Sequence, residues 1–167
     1  MFYGSAADFQ TYHSARGRTI LPTWDDATIE AALLVSSEWV DNNYGEQFSG
    51  YKTDGYPQTR QWPRNQAITN TFPQYVFEDT EIPDEMADAT YEAAFRELTT
   101  PGSLNVDFTP NKYLSASVED AVEVKYAQNL TLETSQVQIR VISSILFPLL
   151  DPDKTASFSG LSGDISR

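Results

Sequence analysis

The chain has 167 residues, 40% hydrophobic and 13% aromatic, with no cysteine and 11 Lys and Arg against 24 Asp and Glu, a net charge of −13. That length and apolar content suffice for one domain with its own core, and they exclude a disordered chain, a disulfide scaffold and thiolate chemistry. The acid is spread evenly, with 5 basic and 11 acidic groups in residues 1–83 and 6 and 13 in residues 84–167, so neither half offers the clustered cations that tight phosphate-backbone binding needs.

The opening MFYGSAADFQ has no basic stretch followed by an apolar one, so no signal peptide is expected. The longest apolar run, ILFPLL at 145–150, is too short to span a bilayer, and a soluble chain is expected. Residues 5–17 predict a short helix, with Ser5 and Asp8 at capping-box spacing and Gly17 placed to end it. RTILP then predicts an extended connector, because the residue before Pro22 is pushed out of the helical region. Residues 23–45 predict the strongest helix, with Thr23 as N-cap, Asp26 at the reciprocal position, and Ile29, Leu33, Ser36, Val40 and Tyr44 on one face widened by Ala32 and Trp39. Trp24 and Trp39, 15 positions apart, would share a similar side and pack in a core or between subunits.

Residues 46–81 carry Gly50, Gly55, Pro57, Pro63 and Pro73 among many aromatics, which predicts a long irregular loop able to pack on helices. Residues 82–102 predict a second clear helix with Pro83 at its first position, Asp84 and Glu85 at its positive end, and Ala87, Tyr91, Ala94, Leu98 and Phe95 facing inward. Its outer face is strongly acidic. From 111 to 128 the period changes to two, with Val118, Val122, Val124 and Tyr126 alternating with charge around a turn at 119–121, a hairpin pattern. Residues 132–150 predict a last helix with Val137, Val141, Ile145 and Leu149 on one face and Pro148 weakening its final turn. The fold expected is mainly α: a small helical bundle at 1–150 with the 46–81 loop and the 111–128 hairpin, then an extended tail at 151–167.

No catalytic signature is present, and a non-enzymatic protein without cofactor or metal is expected. His13 is the sole histidine and has no nucleophile motif near it, so a helix-surface or capping role is expected. The acids at 78–85 lack the EF-hand pattern and suit a solvated helix entrance better than calcium. Lys52, Arg60 and Arg64 with Tyr51, Tyr56 and Trp62 form the one region mixing bases with aromatics. Such a mixture serves as a stacking platform for single strands or as a staple holding a Pro-rich loop on a helix pair; three bases in so acidic a chain favour the staple.

Taken in order, Arg16-Gly17, Trp24 opening a helix, EAALLVSSEWVDNNYGEQFSGYKT, QTRQWPR, IPDEMADATYEAAFREL, SASVEDAVEVKYA and ILFPLL form a set that resembles a tailed-phage family of head–tail connector (adaptor, head-completion) proteins, often labelled DnaT-like ssDNA-binding. The resemblance covers residues 5 to about 150. This chain has Asp120-Ala121 where relatives often carry Gly in the ribbon turn, and Trp39-Val40-Asp41 where they carry Tyr. The resemblance implies a structural protein of the virion neck, assembled in the host cytoplasm as a dodecameric ring below the portal. Such a ring would contact portal and tail-completion proteins, with genomic double-stranded DNA passing through without specific binding. On that reading Asp84, Glu85, Asp88 and Glu92 would face the channel, and an acidic rim would let DNA pass without sticking. Phe158, Leu161 and Ile165 of the tail would dock on the portal. Trp62 would pin the loop to the helical core, Pro63 would set its angle, and Arg64 would pair with an acid of its own or the adjacent subunit. The alternative is a single-stranded-DNA-binding replication accessory protein that uses the 51–64 loop.

Overall fold

The computed structural model describes residues 1–105 and 139–154, and the backbone of two strands at 115–118 and 122–125. The chain divides into two units, one built from 1–104 and the segment from 139 onward, the other from 105–138. The mainly α architecture expected is the one observed.

Helix α1 spans Ala6–Ala15. The Ser5 hydroxyl accepts from the Asp8 amide at 3.1 Å and donates to its carboxylate at 2.7 Å, which satisfies one of the free amides of the first turn. Gly17, at φ +70°, carries the chain out of the helix. Helix α2 spans Asp26–Tyr44 and is capped by Asp25, whose carboxylate accepts from the Thr28 amide at 2.8 Å. The expected Thr23 cap is therefore corrected by two residues: 21–24 closes a turn first, with the Trp24 amide on the Leu21 carbonyl, and the charged Asp25 suits the helix dipole better. Trp24 thus precedes the helix and does not share a side with Trp39. All five residues expected on the inner face of α2, Ile29, Leu33, Ser36, Val40 and Tyr44, are buried.

Helix α3 spans Asp84–Thr99, with Pro83 as its N-cap rather than its first residue. Its buried stripe is wider than expected. Ala87 and Leu98 are only half-buried, while Met86, Ala89, Thr90, Glu92 and Ala93 are buried beside Tyr91 and Ala94. The reason is that α3 serves two clusters. One gathers Trp39, Val40 and Tyr44 from the second half of α2 with Met86 and Ala89 from the first half of α3 and with Ala93; the other gathers Ile29, Ala32 and Leu33 from the first half of α2 with Tyr91 and Ala94 and with Phe9 of α1. The two long helices therefore run antiparallel. Complete burial of each large aliphatic such as Ile29 or Leu33 is worth about 1.5–3 kcal/mol.

Helix α4 spans Arg140–Leu146 and tightens into a 3-10 turn at Phe147–Leu149, where Pro148 lies. Ile139 is extended (φ −94°, ψ 101°), so the expected long helix does not run through it. Leu149 is buried as expected, but earlier on the helix the inner face is displaced by one position: Ile142 and Leu146 are buried, whereas Val141 is exposed and Ile145 half-buried. Val137, the turn at 119–121 and the tail residues Phe158, Leu161 and Ile165 lie outside the described residues. In the second unit, strands β3 (Ser115–Val118) and β4 (Val122–Lys125) pair antiparallel with Val118 opposite Val122. The remaining pair, β1 (Tyr51–Lys52) with β2 (Arg64–Asn65), sits inside the long loop.

Candidate nucleic-acid interface

Between Phe48 and Phe77 the chain is fastened to the helices from several directions. Trp62 is 1% exposed, edge-on to Phe48 and Phe77 with ring centroids 5.9 and 5.2 Å away. The Trp62–Pro63 bond is cis. The Trp62 amide donates to the Tyr3 hydroxyl at 3.1 Å, and that hydroxyl donates to Asp41 of α2 at 2.8 Å. Burial, then the Asp41 charge, hold the Tyr3 phenol protonated far above its usual range. Gly50 is required here: at φ +67° it lies so close to the Asn65 carbonyl that a Cβ would collide with it.

The two arginines of the loop are spent on this fastening. Arg60 Nε donates to the Met1 carbonyl at 2.8 Å, and its guanidinium pairs with Asp41 at 3.4 Å and Glu38 at 3.5 Å. Burial pushes the Asp41 carboxyl up, against the lowering effect of the Tyr3 and Arg60 donors. Arg64 departs from expectation. It pairs with no acid among the described residues; instead Nε donates to the Ser49 carbonyl (2.8 Å), Nη2 to the Gly50 carbonyl (2.8 Å) and Nη1 to Gln61 Oε1 (3.0 Å). A buried fork of donors closing over backbone carbonyls suits guanidinium geometry. Both side chains are about 5% exposed or less, so neither can reach a phosphate. Lys52 is half-buried with Nζ on the Gln58 carbonyl at 3.0 Å. The loop's cations are thus unavailable, and its exposed rings stand without them.

A second mixture of bases and rings lies where α1 ends against α3, and no contiguous motif announces it. The Arg16 guanidinium lies 3.3 Å over the Tyr12 ring and donates to the Tyr12 carbonyl at 3.2 Å, while remaining exposed. Arg18 lies 4.9 Å over the Phe95 ring and pairs with Glu92 at 2.9 Å. Arg96, exposed and one helical turn beyond Glu92, makes no ion pair among the described residues. Trp24, half-buried, meets Phe95 edge-on at 5.6 Å. Both cation–ring contacts among the described residues occur here.

Glu92 is a correction to the channel-facing set. It is buried, taking the Arg18 guanidinium and the Tyr12 hydroxyl (3.2 Å), and it helps push the Tyr12 phenol up to about 12, burial being the larger cause. Asp84 is exposed and Glu85 and Asp88 half-buried, and burial raises the Asp88 carboxyl. His13 is a second correction. It is fully buried among Phe9, Tyr12 and Phe95 at 4.5–5.0 Å. Its Nε2–H donates to the Tyr91 carbonyl at 3.0 Å and its Nδ1 accepts from Arg18 Nη1 at 3.2 Å. Burial keeps it neutral by lowering its pKa. Among the described residues no group of three His, Asp or Glu is placed to hold a metal ion. By neutralising Arg18, Glu92 leaves Arg16 and Arg96 as the cations that face water at this end.

A family described as "Putative DnaT-like ssDNA binding protein" matches residues 2–167. The chain belongs to this family. No curated protein and no solved structure matches the chain. Membership in the DnaT-like family corrects the expected function. The description spanning the chain is of single-strand binding, so the reading of a structural virion connector in a phage neck, drawn from the resemblance, does not stand. The label that accompanied that resemblance was its accurate part.

Proposed function

We propose that this DnaT-like chain is a single-stranded-DNA-binding accessory protein whose strand contact is the α1–α3 end rather than the 51–64 loop. The observation that carries this reading is the Arg16 guanidinium held 3.3 Å over the Tyr12 ring and open to water, with Arg96 of α3 also exposed. A guanidinium backed by a ring offers its other face to an unstacked base and its edge donors to a phosphate, the two contacts that sequence-tolerant strand binding uses. Tyr12 stays protonated near neutral pH, so it adds no negative charge. The family's description supports the ligand class. The overall charge of −13 sets the affinity low and keeps the phosphate count small.

The test is an anisotropy titration of labelled oligo-dT at several salt concentrations. Two phosphate contacts give a slope of log K against log salt of about −1.4, from roughly −0.7 per phosphate on single strands. Absence of binding at low salt, or a slope unchanged in Arg16→Ala/Arg96→Ala, overturns the reading.

A further inference from the structure

The far end of the same helical unit carries an apolar surface that the DNA reading leaves unused. Of the twelve large hydrophobic residues exposed among the described ones, six lie between Tyr51 and Val76. Phe72 is 98% exposed, Val76 64%, Tyr75 52% and Ile68 38%, and Phe147 adds 60%. These five are brought together by backbone. Ile68 bridges Val76 across an antiparallel pair, and Asn70 Nδ2 donates to the Phe147 carbonyl at 2.6 Å while its amide takes the Pro148 carbonyl at 2.8 Å. The platform is supported from beneath: Tyr75 stacks edge-on to Phe77 at 5.0 Å, which meets buried Trp62. Ser49 Oγ donates to the Ile68 carbonyl at 2.7 Å.

The 78–81 side of this patch is acidic, while Lys154 on the other side is spent on the Phe48 and Gly50 carbonyls. Glu81 accepts from the Tyr75 hydroxyl at 3.2 Å through each carboxylate oxygen, and its Oε2 also takes the Glu78 amide at 3.1 Å. Asp79 is tied in by its carbonyl, which accepts from Thr53 Oγ at 2.7 Å. No Lys or Arg occurs between Arg64 and Arg96, a span that holds seven acids. A nucleic-acid strand is repelled by such a rim, and a second copy of the same face would set Glu78, Asp79 and Glu81 against their own like charges. An exposed apolar centre with an acidic rim fits a surface of the opposite kind.

We infer that Ile68, Phe72, Tyr75, Val76 and Phe147 form a docking site for a partner protein that presents an apolar side chain flanked by Lys or Arg. The occupant is a basic, apolar-centred protein segment. The site lies beyond the C-terminal end of α2, whose 19 residues span about 28 Å at 1.5 Å each, so it leaves the α1 end free for a strand. It stands whether or not that end binds DNA.

The probe is a synthetic peptide of Lys residues flanking Leu and Phe, titrated into the isotope-labelled full chain and followed by amide shifts. Saturable shifts confined to 66–80 and 145–150 are expected, with affinity reduced about tenfold or more in Phe72→Ser, as for an interface hot spot. Because Phe72 is almost wholly in water, that substitution leaves the fold intact. A peptide with Glu in place of Lys should give no shifts. Shifts spread equally over the acids of α3 and insensitive to Phe72→Ser would overturn the inference, as would oligo-dT producing the same shifts at 66–80. Concentration-dependent self-association through 66–80 without peptide would overturn it in favour of a second copy.

Discussion

The two ends of α2 each combine arginines with aromatic rings and put them to opposite uses. Beyond its C-terminus, Arg60 and Arg64 lie inside the protein and close over carbonyls of Met1, Ser49 and Gly50, while Trp62 fills the core. Before its N-terminus, Arg16 lies outside on Tyr12, and Trp24 is half-exposed. The difference teaches that a motif of bases and aromatics has no function until burial is assigned. The loop spends Arg64 on its own carbonyls, because an irregular segment must satisfy many that no ladder satisfies, and Arg60 on Met1 and the acids of α2. At the α1 end Arg18 is spent on Glu92, while Arg16, which gives one donor to the Tyr12 carbonyl, keeps the rest of its guanidinium in water.

The sharpest way to break this comparison is at Trp62. Trp62→Ala should cost about 3–5 kcal/mol of stability in chemical denaturation, as for a buried aromatic, and a change near zero would remove the loop's core role. Next comes Arg64→Lys, which keeps charge but loses the fork. It should cost about 1.5–3 kcal/mol by the same measurement and leave oligo-dT affinity unchanged. A variant that kept its stability but lost DNA would return the strand to the loop. Arg16→Ala/Arg96→Ala should do the reverse, weakening oligo-dT binding by about 1–3 kcal/mol in anisotropy while stability moves by no more than about 0.5 kcal/mol.

The smallest effect is on pH. His13 has a folded pKa below its ordinary 6.5, because burial disfavours the cation and Arg18 faces it, against the raising effects of the Tyr91 carbonyl and Glu92. The unfolded chain therefore binds the extra proton first. His13 contributes stability that is complete above about pH 6.5 and is lost as pH falls toward its folded pKa. An imidazole titration by NMR should show a midpoint below 6.5; a midpoint above it would mean an exposed, acid-paired ring.

What the sequence disclosed depends on how local the cause is. The inner face of α2 was legible because Ile29, Leu33, Val40 and Tyr44 repeat at helical spacing, and Ser5 with Asp8 marked a cap within four residues. The pairing of 115–118 with 122–125 was legible as a hairpin from the change to alternation. The α2 cap was missed because Thr23, Asp25 and Asp26 are all competent acceptors, and a turn at Leu21–Trp24 decides among them. His13 was misread as a surface group because its pocket is built by Phe95 and Tyr91 from another helix. The α1–α3 site was illegible for the same reason: Tyr12 and Arg18 meet Glu92 and Phe95 only after the helices pack. The resemblance had carried the right label with the wrong role, and no spacing of residues could separate the two.

The most direct test of where a strand lies is photo-crosslinking of oligo-dT to the full chain with the sites read by mass spectrometry. Crosslinks concentrated on Tyr12 and Trp24, and lost in Arg16→Ala/Arg96→Ala, are the predicted result. Crosslinks on Tyr56 or Phe72 that survive this double substitution would contradict it.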